Sequence, residues 1–296
     1  MKKQRRIHLP RVSSRYYPWL LLSPTIIILL VLSIPLLIYS LYNSLLDYNL
    51  LHPERGIYFI GLKNYASILS QSFFWYNTMY VTLTFLLVSV IIEFCLGFFL
   101  AYLANREIRG ISIFKLILIT PLFVAPVSIG LIWKLMFNPS MGLINYFLWE
   151  LRLPICNWIS DASTALFSIA LVDIWQWTPF MFLILLAGFT SVPREPVEAA
   201  MIDGASGWRI LRRIYIPYMK PVILVALLIR SMDALREFDK IYILTGGGPG
   251  VVTETLVYHS FRYAFMFFEI GYSTAISYIA LIFVNILATI LLTRIK

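Results

Sequence analysis

Several ionisable side chains interrupt stretches of sequence that are otherwise apolar: Glu93, Asp173, Arg230, Asp233, Arg236, Glu237 and Asp239. A charge at the centre of a bilayer costs about 2.5–3.5 kcal/mol on insertion scales, so each should face protein or a wetted cavity. Arg230, Asp233, Glu237 and Lys240 follow one another at the spacing of a single helical stripe. Their signs run plus, minus, minus, plus, so they can partly neutralise one another. Two readings fit: an ion-pair seam sealing one subunit against another, or the lining of a path for a polar solute. Asp173, Trp175, Gln176 and Trp177 form a second cluster. Aromatic faces grip the C–H surfaces of sugars, and carboxylate or amide groups hold their hydroxyls; this cluster offers both. It fits equally an aromatic belt at the membrane surface, with Asp173 near the outer end. Trp175 and Trp177 cannot both line a path, because helix positions two apart diverge by about 200°.

Other chemistries find no support. The phosphate-cradling pattern G-x-x-x-x-G-K-[ST] is absent, and no lysine follows the run Gly246-Gly247-Gly248-Pro249-Gly250. That run reads as a flexible turn or as a contact with protein or substrate. No HExxH, GxSxG or fixed pair of carboxylates points to an enzyme. His8, His52 and His259 are scattered, and Cys95 and Cys156 make no metal motif, so no metal or other cofactor is expected in this chain. Cys95 reads as a small buried hydrophobe. A formal charge of +9 could suggest nucleic acid, but the basic residues cluster between apolar stretches rather than along a stripe with stacking aromatics.

The elements that must position these groups are membrane helices. With 60% hydrophobic and only 13% charged residues, and a mean hydropathy of +0.80, the 296-residue chain has too much apolar surface for a water-soluble fold; soluble domains carry about 25% charged residues. Six stretches approach the 20 or so apolar residues that a span needs: 19–41, 77–104, 112–137, 163–188, 221–244 and 267–293. The fifth is the weakest. The first is too long for the core of a cleaved signal and is read as a retained span. Lysines and arginines set the orientation. With the N-terminus in the cytoplasm, one side holds Lys2, Lys3, Arg5, Arg6, Arg11, Arg15, Arg106, Arg109, Lys115, Arg194, Arg209, Arg212, Arg213, Lys220, Arg294 and Lys296. The other holds only Arg55, Lys63, Arg152 and Arg262. Both termini are therefore expected in the cytoplasm.

The longest loop on the basic side runs from about 189 to 220, and residues 191–221 read SVPREPVEAAMIDGASGWRILRRIYIPYMKP. Pro193 and Pro196 suit a helix start, and Glu195 and Glu198 suit its first turns. Gly204 is a natural stop. Ser206 can cap a second short helix carrying Trp208, Ile210, Leu211 and Ile214. Pro217 and Pro221 are expected to end the loop before the fifth span. The residues alone leave open an amphipathic hairpin lying at the membrane surface or a docking site for another protein, approached closely over Ala199 and Ala200.

Glu198-Ala199-Ala200, three residues, Gly204, nine residues, then Ile214-x-Ile216-Pro217 resembles the EAA motif of ATP-binding-cassette importer permeases, with Ile216 where leucine is usual. The resemblance extends through Gly61-Leu62-Lys63-Asn64-Tyr65, Pro121, Pro126, Trp133, Gly142-Leu143-Ile144-Asn145, the stretch from Trp175 to Pro179, and Leu186-Ala187-Gly188. The run from Phe238 to Pro249 is similar to that of the maltose-type first permease of the carbohydrate-uptake class. The resemblance implies an all-α polytopic membrane bundle of six spans with a cytoplasmic coupling helix, over residues 19–296 after a cytoplasmic tail of 1–18. It implies that Glu198, Ala199, Ala200, Asp203, Gly204, Ile214 and Pro217 form the contact with a separate ATPase dimer, which binds ATP and magnesium. A second homologous permease, an extracytoplasmic binding protein, membrane lipid and a sugar or related polyol complete the expected partners, in a bacterial-type inner membrane. Asp173, Trp175, Gln176, Trp177, Asp233, Glu237 and Asp239 are the candidates for the substrate path. An ion-driven transporter would leave the cytoplasmic loop without a task, and no inverted repeat supports one.

Overall fold

The computed structural model describes residues 17–105 and 110–294. The tail expected over 1–18, apart from its last two positions, and Arg106, Arg109 and Lys296 lie outside the described residues. Among the described residues, five helical segments are long and apolar enough to cross a bilayer, and one bent pair supplies a sixth crossing if counted as a single span. The first is α1 (Tyr17–Ser44). A short antiparallel hairpin follows, β1 (Leu46–Asp47) with β2 (Tyr58–Phe59), then α2 (Lys63–Ser70). A π-helical turn, Phe74–Met79, leads into α3 (Tyr80–Ala104).

The stretch expected to cross as one helix over 112–137 does not run straight. It divides into α4 (Ile111–Ile119) and α5 (Pro126–Met136), whose segments are bent by 99°. The prolines cause the break: Pro121 sits in a 3-10 turn, and Ala125, before Pro126, is extended at φ −58°, ψ 138°. Proline excludes its predecessor from helical geometry by steric clash. After α6 (Leu143–Glu150) comes α7 (Ala165–Ser191), then α8 (Arg194–Ile202) and α9 (Gly207–Ile210). The chain continues through a π-helical turn, Leu211–Tyr215, into α10 (Ile216–Leu235) without a gap. The second loop helix is thus the foot of the fifth span. Pro217 and Pro221 both fall inside this continuous helix, which accommodates them, with the π-helical turn placed just ahead of Pro217. The last elements are α11 (Asp239–Leu244), α12 (Leu256–Phe265) and α13 (Ile270–Thr293).

The centre of the bundle is the pair α3 and α7, crossed by α10. Gly97 permits the closest approach: a Cβ there would lie 2.6 Å from Met181 Cβ and 2.9 Å from the Phe182 nitrogen. Small residues bring membrane helices close enough for backbone packing. Phe85, Ile169, Met181, Phe182, Leu185 and Ala226 fill the adjoining core. Serines join α12 to α13: Ser260 Oγ lies 3.0 Å from Ser273 Oγ and 2.8 Å from Ser277 Oγ. Helix α1 lies against α13 and leaves its apolar side chains exposed along its length. Cys95 is exposed, contrary to expectation, because α3 turns Glu93 and Gly97 inward and leaves Cys95 on its outer face.

Candidate functional site

The fifth span stops being helical between α10 and α11. Arg236 N–H reaches back to the Asp233 carbonyl at 3.0 Å and Glu237 N–H to Ala234 at 3.3 Å, tightening the last turn. Glu237 then caps the next helix, its carboxylate accepting the Lys240 backbone N–H at 3.0 Å. Non-helical backbone at membrane depth persists only where protein buries it or where it lines a wetted cavity. Here protein buries one side of the break and an open cavity adjoins the other.

On the buried side five charged side chains join, from α3, α7, α10, α11 and the break between the last two. Arg230 on α10 donates from Nε to Glu93 Oε2 at 2.6 Å and from Nη2 to Glu93 Oε1 at 3.0 Å, and also pairs with Asp173 on α7. Lys240 on α11 bridges Asp173 at 3.0 Å and Glu237 at 2.6 Å. Glu93, Arg230, Asp173 and Lys240 are fully buried, and Glu237 keeps a narrow exposed edge. The carboxylates outnumber the cations three to two. The Trp177 ring covers Arg230, with 5.3 Å between its centroid and the guanidinium carbon, a cation–π arrangement. Removing one partner from such a network leaves an uncompensated buried charge, at about 3–5 kcal/mol. The network therefore pins both halves of the broken span to α3 and α7.

On the open side lies a cavity of about 310 Å³ lined by Pro126, Trp177, Asp233, Arg236, Glu237, Phe238 and Asp239. Arg236 Nη2 meets Asp233 Oδ1 at 2.8 Å, so this pair is neutral. Behind Phe238 stands an aromatic stack, with Phe261 at 4.8 Å and Tyr242 at 5.4 Å between ring centroids. An aromatic wall beside carboxylates and a guanidinium suits a solute with apolar C–H faces and many hydroxyls.

The sequence candidates separate. Trp177, Asp233, Glu237 and Asp239 meet at the cavity. Asp173 and Gln176 are buried behind it and do not line it. Trp175 points elsewhere, packing edge-on against Trp133 at 5.6 Å with 44% of its surface exposed. The expected single stripe of Arg230, Asp233, Glu237 and Lys240 does not form, because the helix that would carry it ends at Leu235. Three of the four join the buried network, and Asp233 turns outward to Arg236. Phe238 and Pro126 were not among the candidates for the path, and Arg236 stood only among the charges expected to face protein or a wetted cavity. The signal for Arg236 is its place three residues after Asp233. The glycine run expected to be flexible is pinned: Tyr258 donates to the Gly246 carbonyl at 2.7 Å and Thr253 to Gly248 at 2.9 Å.

The hairpin of α8 and α9 is the second candidate surface. Helix α8 closes with the paired hydrogen bonds of a glycine C-cap, Ala205 N–H to Ala200 at 2.9 Å and Gly204 N–H to Met201 at 3.1 Å. Gly204 adopts φ +70°, with open space where a side chain would stand. Ser206 Oγ caps α9 by accepting the Arg209 N–H. Glu198, Ala199, Asp203, Gly204 and Pro217 are exposed, and Ala200 and Ile214 half-buried. Beside them Ile202 and Trp208 leave 87% and 68% of their surfaces uncovered. Val197, Ile210 and Leu211 face the bundle and hold the hairpin to it.

Known proteins resemble this chain in sequence and fold. Residues 93–296 match the family described as binding-protein-dependent transport system inner membrane component. A probable ABC transporter permease of Sinorhizobium fredii is 38% identical over 99% of this chain and 93% of its own length. The trehalose/maltose transport system permease of Thermococcus litoralis is 41% identical over 78% of this chain and 77% of its own. A bacterial ABC transporter involved in import of the acidic polysaccharide alginate shares the fold, with a TM-score of 0.80 over 95% of this chain and 96% of that one at 20% identity. With its apolar spans, broken fifth helix and capped hairpin, this chain belongs to the family of binding-protein-dependent transport system inner membrane components.

Proposed function

We propose that this chain is one permease of an ABC importer, moving a sugar or related polyol through the cavity beside the break in the fifth span. The observation that carries the proposal is the placement of Trp177, Asp233, Glu237 and Asp239 on one concave surface at an interruption of membrane helix. The relatives' family membership and the sugar transport named for the Thermococcus litoralis permease support a carbohydrate cargo.

The hairpin is the contact for a separate ATPase dimer, which holds ATP and magnesium; this chain brings no cofactor of its own. Glu198, Ala199, Ala200, Asp203 and Gly204 present the docking edge, and Ile214 and Pro217 join it to α10. The hairpin and both termini face the cytoplasm, where most of the arginines and lysines then lie. A binding protein delivers cargo from the opposite side, and a second homologous permease completes the path. ATP-driven closure of the ATPases moves the docked hairpins and exposes the cavity alternately to the two sides.

Proteoliposomes carrying this chain with its ATPase, second permease and binding protein should accumulate sugar only when ATP is supplied. Uptake that persists without the ATPase, driven by an ion gradient, would overturn the proposal.

A further inference from the structure

The charges around the cavity narrow the cargo, an inference that rests on the cavity being the cargo site. Among the described residues, every cation that lines the cavity or lies directly behind it has a carboxylate partner. Arg236, which lines it, is held by Asp233 at 2.8 Å. Lys240 is buried between Asp173 and Glu237. Arg230 is sealed beneath Trp177 and meets two carboxylates. The carboxylates are not matched in the same way. Asp239 lines the cavity and makes no ion pair among the described residues. Glu237 presents the exposed edge of a network in which carboxylates outnumber cations. A phosphate, sulfonate or carboxylate on the cargo would meet the unpaired Asp239 carboxylate and, among the described residues, no guanidinium or ammonium without a carboxylate partner. Hydroxyl groups would find acceptors in Asp239 and Glu237, and their carbon faces would find Trp177 and Phe238.

We infer that this chain admits uncharged polyhydroxylated solutes and excludes anionic ones. The fold shared with an importer of acidic polysaccharide does not carry that charge preference across. A unit charge about 6 Å from an uncompensated carboxylate is disfavoured several-fold in water and much more in a drier site, so a preference of roughly tenfold is expected.

The test uses the assembled importer in lipid nanodiscs without binding protein, so that the permease pair alone selects. Equilibrium binding of radiolabelled maltose is compared with that of maltose carrying one phosphate. Maltose should bind at least about tenfold more tightly. Asp239→Asn should narrow that gap by roughly threefold to tenfold, and Asp239→Lys should close or invert it, both by improving the phosphorylated sugar. The comparison between variants cancels whatever charge the second permease contributes. As a readout on the unaltered protein, raising salt from low to high ionic strength should narrow the gap through screening. Equal or tighter binding of the phosphorylated sugar in the unaltered protein would overturn the inference, as would a gap that neither salt nor either variant moves. Binding of neither solute would instead remove the cavity as a cargo site, and the proposed function would fall with it.

Discussion

Glu93 on α3 and Arg230 on α10 meet fork to fork, at 2.6 and 3.0 Å, with neither side chain exposed. A planar guanidinium matches a carboxylate in two parallel hydrogen bonds, and lysine cannot reproduce that geometry. The pair belongs to the structure of the permease rather than to the surface of its path. Arg230→Met should therefore destabilise the chain by about 3–5 kcal/mol, because Glu93 and Asp173 lose their partner in the interior. Arg230→Met combined with Glu93→Leu should recover part of the loss. Thermal inactivation of the four forms in detergent measures the coupling; additive losses would contradict it.

Gly97 is where α3 and α7 nearly touch. Gly97→Ala places a methyl group 2.6 Å from Met181 Cβ and 2.9 Å from the Phe182 nitrogen, so backbone must move. A cost of about 1–3 kcal/mol is expected, read as a lower midpoint of thermal inactivation. An unchanged midpoint would mean that the helices are not in that contact.

At Gly204 the constraint is conformational, since nothing occupies the space where a side chain would stand. Gly204→Val should strain the left-handed backbone by about 1–2 kcal/mol and reduce ATP-dependent uptake while membrane insertion persists. Gly204→Asn, whose side chain tolerates that conformation, should retain more uptake. Equal activity of the two variants would separate the glycine from the docking role.

Trp177 and Trp175 give a paired test of the path. Trp177→Ala removes the aromatic wall and uncovers Arg230, so half-saturation for transported sugar should rise by about tenfold, equivalent to about 1.4 kcal/mol. Trp175→Ala should change it several-fold less, because Trp175 packs on Trp133 away from the cavity. The reverse order in a dose–response of uptake would place the path on the other face of α7.

The hairpin is the most legible part of the sequence. Gly204 and Ser206 carry local instructions, a left-handed stop and a side-chain cap, that need no distant partner, and both act as their residue types require. Hydropathy located the spans because apolar length is a property of one segment at a time. The third span escaped because a window average does not weigh Pro121 and Pro126 against the straightness of the helix around them. The site was half legible. Asp173 looked like a path residue because its partners, Arg230 and Lys240, lie 57 and 67 positions away. The stripe from Arg230 to Lys240 was drawn on a continuous helix that Glu237 interrupts by taking the Lys240 N–H for itself. Pairing across helices depends on packing, which spacing along one helix does not encode.

From Gly207 to Leu235 the chain is helical without interruption, so one stiff lever of roughly 44 Å at 1.5 Å per residue runs from the hairpin to the edge of the cavity. A tilt of about 5° about Arg230 would displace the Gly207 end by about 3 Å and the Leu235 end by under about 1 Å in the opposite sense, at 1.5 Å per residue. Force applied at Trp208 would thus arrive at Arg236 as a change of gap width, with Arg230 and its carboxylates, one and a half turns short of the upper tip, serving as the bearing.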